Sequence, residues 1–208
     1  MRLLKRTMVT LAVIIAAVQM TRAQEIFMAE ESSTAVQLRT NGLYDLALCP
    51  NIGLEIQTDL GLAWQIDYVG AWWNNKDKHR YYSNYALQTE LRYYLGNRKM
   101  EMPYHGHHIG AYYQMATYDF EFGGTGYQCN DLSNTKGYGV SYGYAIPLNR
   151  YFSVDLTVGV GLLQSRYNMY VPKGNVYAVK ANKKLTFLGP TKLEVTVVWN
   201  VNHKNNTK

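Results

Sequence analysis

Thr191-Lys192-Leu193-Glu194-Val195-Thr196-Val197-Val198-Trp199-Asn200-Val201 decides the fold. Leu193, Val195, Val197, Trp199 and Val201 take every second position, and Lys192, Glu194, Thr196 and Asn200 fall between them. Successive side chains of a strand point to opposite faces, so this segment reads as a strand with one apolar and one charged face. The same split recurs in segment after segment. The polar face carries more charge than a protein core accepts. The pattern therefore predicts an all-β, eight-stranded antiparallel up-and-down outer-membrane barrel, with lipid outside and a polar lumen filled by side chains.

The N-terminus agrees with an exported protein. Arg2, Lys5 and Arg6 precede an apolar run from Met8 to Val18, and Thr21-Arg22-Ala23 supplies small residues before a cut. This reads as a cleaved signal peptide over 1–23. A short lead over 24–33, a barrel domain over 34–201 and a polar tail over 202–208 follow. The whole chain has a net charge of +6. The signal carries Arg2, Lys5, Arg6 and Arg22 and no acid, so removing these four of 21 basic residues leaves 17 against 15 acidic ones, a net of +2. That balance gives no reason to expect nucleic acid as a partner. The 19 tyrosines and four tryptophans suit membrane–water interfaces, where amphipathic rings collect.

Outward from strand eight, alternation predicts strands near 34–48, 51–58, 62–73, 81–95, 107–122, 137–146 and 151–170. Arg39, Asp45, Glu55, Asp67, Glu90, Arg92, Asp155, Lys192 and Glu194 fall on the inward side. Their mixed signs predict a paired network that blocks the lumen, with Asp45, Glu55, Glu90, Arg92, Lys192 and Glu194 as its members, because unpaired buried charge costs several kcal/mol. Loops at 74–80, 123–136 and 172–190 are expected outside; 96–106 is expected in the periplasm. Cys49 and Cys129 can pair or stand as unrelated thiols, and spacing leaves both open.

Chemistry-bearing residues are few. His105, His107 and His108 cluster at the start of strand five, with His107 and His108 on opposite faces. Interfacial histidines explain them more simply than a metal or catalytic set, since no Ser or acid is placed beside them. Asp119 and Glu121 share a face about 6–7 Å apart by strand rise. They could hold a cation or do acid–base work, but a strand ending at the water line accounts for them. No catalytic residue, metal site or cofactor is expected.

Four stretches carry a family resemblance: Leu43-Tyr44-Asp45 with Pro50-Asn51-Ile52-Gly53-Leu54-Glu55; Ala71-Trp72-Trp73 with Lys78-His79-Arg80-Tyr81; Gly106-His107-His108-Ile109-Gly110 with Tyr118-Asp119-Phe120-Glu121-Phe122-Gly123-Gly124-Thr125-Gly126-Tyr127-Gln128; and Gly189-Pro190-Thr191-Lys192. The chain resembles, from about Ala35 to Trp199, a domain-of-unknown-function family of exported Bacteroidota proteins held to be small outer-membrane barrels. The resemblance implies location and fold, and it brings no activity or catalytic residues with it.

The expected function is structural or surface-interacting and not enzymatic, in the outer membrane. Outer-membrane lipid and lipopolysaccharide, and a surface or envelope protein, are the expected partners. An outer-membrane enzyme acting on lipid or lipopolysaccharide is the first alternative. A soluble exported barrel carrying an apolar ligand is the second; it would have its apolar face inside.

Overall fold

The computed structural model of the protein describes residues 35–58, 61–75, 80–95, 105–122, 124–149, 151–173 and 176–201. The expected signal, lead and tail lie outside them, as do residues 76–79 and 96–104 of two expected connections. Nine strands are present among the described residues: β1 Ala35–Asn41, β2 Asn51–Gln57, β3 Leu62–Asn75, β4 Arg80–Tyr94, β5 Gly106–Phe122, β6 Gly126–Cys129, β7 Thr135–Pro147, β8 Phe152–Lys173 and β9 Val176–Asn200.

All pairings are antiparallel. β1 through β5 pair in chain order, β5 pairs β7, β7 pairs β8 and β8 pairs β9. β9 returns to β1 from Gln37↔Asn200 to Asn41↔Thr196, which closes a ring of eight. The four-residue β6 pairs β5 and β8 beyond the start of β7. Closure joins β1 and β9 over five residue pairs; before Thr196, β9 has β8 as its ladder partner.

Alternation sorts the side chains as the sequence predicts. Arg39, Glu55, Glu90, Arg92, Asp155, Lys192 and Glu194 are buried, while Trp64, Leu91, Val140, Val158, Leu193 and Val197 are exposed. The inner face is thus charged and the outer face apolar.

Three expectations are corrected. The first strand stops at Asn41, not near residue 48. There the Asn41 side chain accepts from Leu43 N and caps a short helix α1, Gly42–Leu46. An Asn that bonds its own backbone two residues on competes with the sheet ladder. Asp45 therefore lies in an exposed helix, bonded to Thr40 and Asn51, and takes no part in the inner network. The segment 123–136 contains β6 and a 3-10 turn, Leu132–Asn134, capped by Asp131. Outside the ring, that backbone hydrogen bond from Ser133 holds the Asp131 carboxyl below its ordinary range.

The third correction concerns 172–190, which is no loop. β8 and β9 continue as a paired hairpin well past the ring, to Lys173↔Val176. The register slips where Gly159 faces Lys192 and Val160 faces Pro190, leaving Thr191 as the extra residue. A bulge here tolerates a proline, which has no N–H to give the ladder.

Candidate functional site

The ion-paired charges of the inner face come from five strands. Arg39 on β1 pairs with Glu55 on β2 and, at 2.9 Å, with Asp155 on β8. Arg92 on β4 reaches Asp155 at 2.6 Å, Glu90 at 3.1 Å, Glu55 at 3.3 Å and Glu194 at 3.5 Å. Lys192 on β9 pairs with Glu90 and, at 3.2 Å, with Glu194. Polar neighbours take up remaining lone pairs: Tyr94 Oη donates to Glu55, Gln88 Nε2 to Glu194 and Thr157 Oγ1 to Asp155, while Ser141 Oγ donates to Glu90. Buried charges in a low-dielectric interior persist only when so paired.

Of the expected network, the structure brings together Glu55, Glu90, Arg92, Lys192 and Glu194, and omits Asp45. Arg39 and Asp155 are equally central. Both lay on the predicted inward face, and their parity was the signal that could have included them. His108 is the other addition. It is fully buried, its Nε2 lies 2.9 Å from Asp155 Oδ1, and its ring sits 5.0 Å from that of Tyr94. His107, one residue earlier, is exposed on the opposite face against Tyr142 and Tyr144, with its Nδ1 2.6 Å from Tyr142 Oη. The two histidines share no site.

Asp119 and Glu121 sit at the far end of β5. Asp119 accepts from Gln128 Nε2 and Tyr170 Oη, each at 2.7 Å, which ties β5 to β6 and β8. Glu121 is buried. Asp119 thus acts as a brace between strands. Cys49 and Cys129 are separate buried thiols, beside Tyr82 and Thr135 respectively. No group of three or more His, Cys, Asp or Glu among the described residues is arranged to hold a metal ion.

Glycines shape the inner face opposite β5. A Cβ on Gly139 would stand 2.6 Å from both Tyr112 Oη and Gly161 Cα, and would collide with the Val160 carbonyl. One on Gly143 would meet His108 Nε2 at 2.5 Å. These bare positions let Tyr112 and His108 lie across β7 and β8, filling the space inside the ring. Gly139→Ala should cost about 1–3 kcal/mol, because the obstruction includes backbone. Gly189→Ala should be milder, since its nearest neighbour is the Phe187 ring at 2.8 Å, an exposed side chain free to move. Urea midpoints of the two variants check this; equal shifts would contradict the packing argument.

The indoles of β3 have protein partners. On the outer face Trp64 Nε1 donates to Thr89 Oγ1 at 2.7 Å and Trp72 Nε1 to Tyr81 Oη at 3.1 Å; Trp73, on the opposite parity at the end of the strand, donates from Nε1 to the Leu48 carbonyl at 2.9 Å. All three indoles belong to exposed residues, yet none relies on water for a partner.

The arrangement offers ion pairing and enclosure. A comparison with curated proteins returns no match. Residues 8–201 match the family described as Protein of unknown function (DUF3575), and the chain belongs to that family.

Proposed function

We propose that the protein is a small outer-membrane β-barrel with a sealed polar lumen, serving a structural or surface-interaction role without catalysis. The inverted distribution of side chains carries this reading: charge is buried inside the ring, and Leu, Val, Trp and Tyr cover its outside. A soluble protein rarely exposes so continuous an apolar belt. In hydrocarbon every backbone group needs an internal partner, which a closed ring supplies. The bonded indoles fit the same demand. The absence of a helix long and apolar enough to cross a membrane among the described residues is neutral, because strands would do the crossing. A carrier of apolar ligands is disfavoured by the charged inner face.

Fractionation tests the compartment. The protein should stay with outer-membrane sheets through salt and carbonate washes and leave only in detergent. Release into buffer would overturn the reading.

Orientation follows from the even ring. The β7–β8 turn near Asn149 and the end of β9 near Asn200 share one side, which is assigned to the periplasm. The β8–β9 extension, with exposed Lys183 and Lys184, then projects outside. In a Cys49→Ser/Cys129→Ser background, Lys183→Cys should react with a membrane-impermeant maleimide on intact cells, while Asn149→Cys should react only after lysis. The opposite pattern would reverse the topology. Negligible conductance in planar bilayers is the matching expectation for the sealed lumen.

A further inference from the structure

The inner charges do not balance. Among the described residues, Arg39, Arg92 and Lys192 supply three positive charges, against carboxylates on Glu55, Asp67, Glu90, Asp155 and Glu194. Glu55, Glu90, Asp155 and Glu194 each pair with at least one of these cations. Asp67 pairs with none; its Oδ2 accepts only from the amides of Gln65 and, at 3.3 Å, Gln88.

Asp67 borders a cavity of about 200 Å³ at the end of the ring where α1 and the β8–β9 extension lie. Glu194 borders it too. Gln88 Nε2 bridges the two acids, 3.3 Å from Asp67 Oδ2 and 2.8 Å from Glu194 Oε1, so both carboxylates and this amide lie together on one part of the cavity wall. Glu194 Oε2 is within ion-pair range of Lys192 and Arg92 but accepts no hydrogen bond. A second, independent feature is Asn41, which lines the same cavity and is 6 % exposed. Its Oδ1 accepts from Leu43 N and Val195 N, and its Nδ2 has no partner. A buried donor without an acceptor is costly and calls for one. Val69, Ala86, Met115 and Leu163 make an apolar wall.

We infer that this cavity binds a small organic ammonium ion carrying a hydrogen-bond acceptor a few bonds from its nitrogen. The ammonium sits against Asp67 and Glu194, Asn41 Nδ2 donates to the acceptor, and a short carbon skeleton lies on the apolar wall. An anion would face two carboxylates. A metal ion would find two acids beside neutral amides and hydroxyls, and among the described residues no third His, Cys, Asp or Glu joins them to hold it. The volume equals that of about six or seven waters, which sets the order of the ligand's heavy-atom count. The proposal concerns the inside of the ring and stands whether or not the outside meets lipid.

Saturation-transfer NMR on the full chain in detergent micelles, in cacodylate buffer, tests it with three probes of one shape. 2-Amino-2-methyl-1-propanol has both charge and acceptor; tert-butylamine lacks the hydroxyl; 2-methyl-1,2-propanediol lacks the charge. The amino alcohol should saturate in the millimolar range. Each of the other two should bind about tenfold more weakly or not at all, the scale of one lost charge-assisted hydrogen bond. Asp67→Asn should weaken the amino alcohol about tenfold, the same scale. Ala86→Phe, which fills the cavity and touches no charged group, should abolish binding even if Asp67→Asn fails to fold. The proposal is overturned by no saturation up to about 50 mM, a free energy too small for a built site. Equal binding of the diol, unchanged binding in Ala86→Phe, or displacement of the amino alcohol by calcium at equal concentration would also overturn it.

Discussion

Arg92→Leu should lower the stability of the folded ring by about 3 kcal/mol, the low end of the cost of removing one partner from a buried ion pair. Arg92 touches four carboxylates, yet none is left wholly alone by its loss. Glu55 and Asp155 keep Arg39, and Glu90 and Glu194 keep Lys192. The damage is therefore an excess of negative charge shared over the group, with two fixed cations left to serve it. A second change, Asp155→Asn, removes one negative charge at the shortest Arg92 contact and should recover part of the loss. The two sites touch, so their effects should couple and not add. Urea titration of the refolded protein, read as the heat-sensitive folded band in cold gel electrophoresis, measures both. A midpoint unchanged in Arg92→Leu would mean that the charges are solvated and that water, not Arg92, compensates them.

The strength of this network follows from its geometry. Arg92 and Asp155 are 63 residues apart and Lys192 and Glu90 are 102 apart, so the pairs exist only once the ring closes. The first joins β4 to β8 and the second β9 to β4, so each favours one register of the strands that carry it. A slip of one residue would turn every buried charge outward. The polar interior thus specifies the fold at least as much as it stabilises it.

That also explains what the sequence could and could not reveal. Parity alone sorts Glu90 and Arg92 from Leu91, or Lys192 and Glu194 from Leu193, because apolar and charged residues alternate there. It cannot say which inward acid meets which inward base. The residues 44–48 kept a period-2 pattern, but Asn41 and Gly42 start a helix there, and Leu48 closes it with a φ of 58°. A five-residue helix is too short to imprint a 3.6 period of its own. The hairpin beyond the bulge was hidden for the opposite reason. Its residues 179–188 are exposed except Ala181, which is half-buried. With no buried face to encode, Lys180, Lys183 and Lys184 alternate with nothing, and Pro190 reads as an end. Asp67 was legible as inward; its lack of a cation was not, since that depends on where Arg39 and Lys192 point.

Val195→Arg separates the two environments the outer face could have. Val195 is 37 % exposed and pairs with Leu156 on β8, between Leu193 and Val197 on the same face. On a surface in water, an exposed Val→Arg change falls within about 0.5 kcal/mol of neutral. Against lipid near the bilayer midplane it should cost about 2–4 kcal/mol, and less as the position moves toward an interface. Thr196→Arg is the companion. Thr196 is 3 % exposed and lies opposite Asp155 on β8 and Asn41 on β1. Its arginine would enter the ring among carboxylates, so its cost comes from crowding, about 1–3 kcal/mol. Crowding does not depend on what surrounds the ring. The Thr196→Arg penalty should therefore be the same in detergent micelles and in bilayers of increasing acyl-chain length, while the Val195→Arg penalty should rise as the bilayer thickens and buries the position deeper. If Val195→Arg is neutral in every bilayer, the apolar belt does not face lipid, and the outer-membrane reading fails with it.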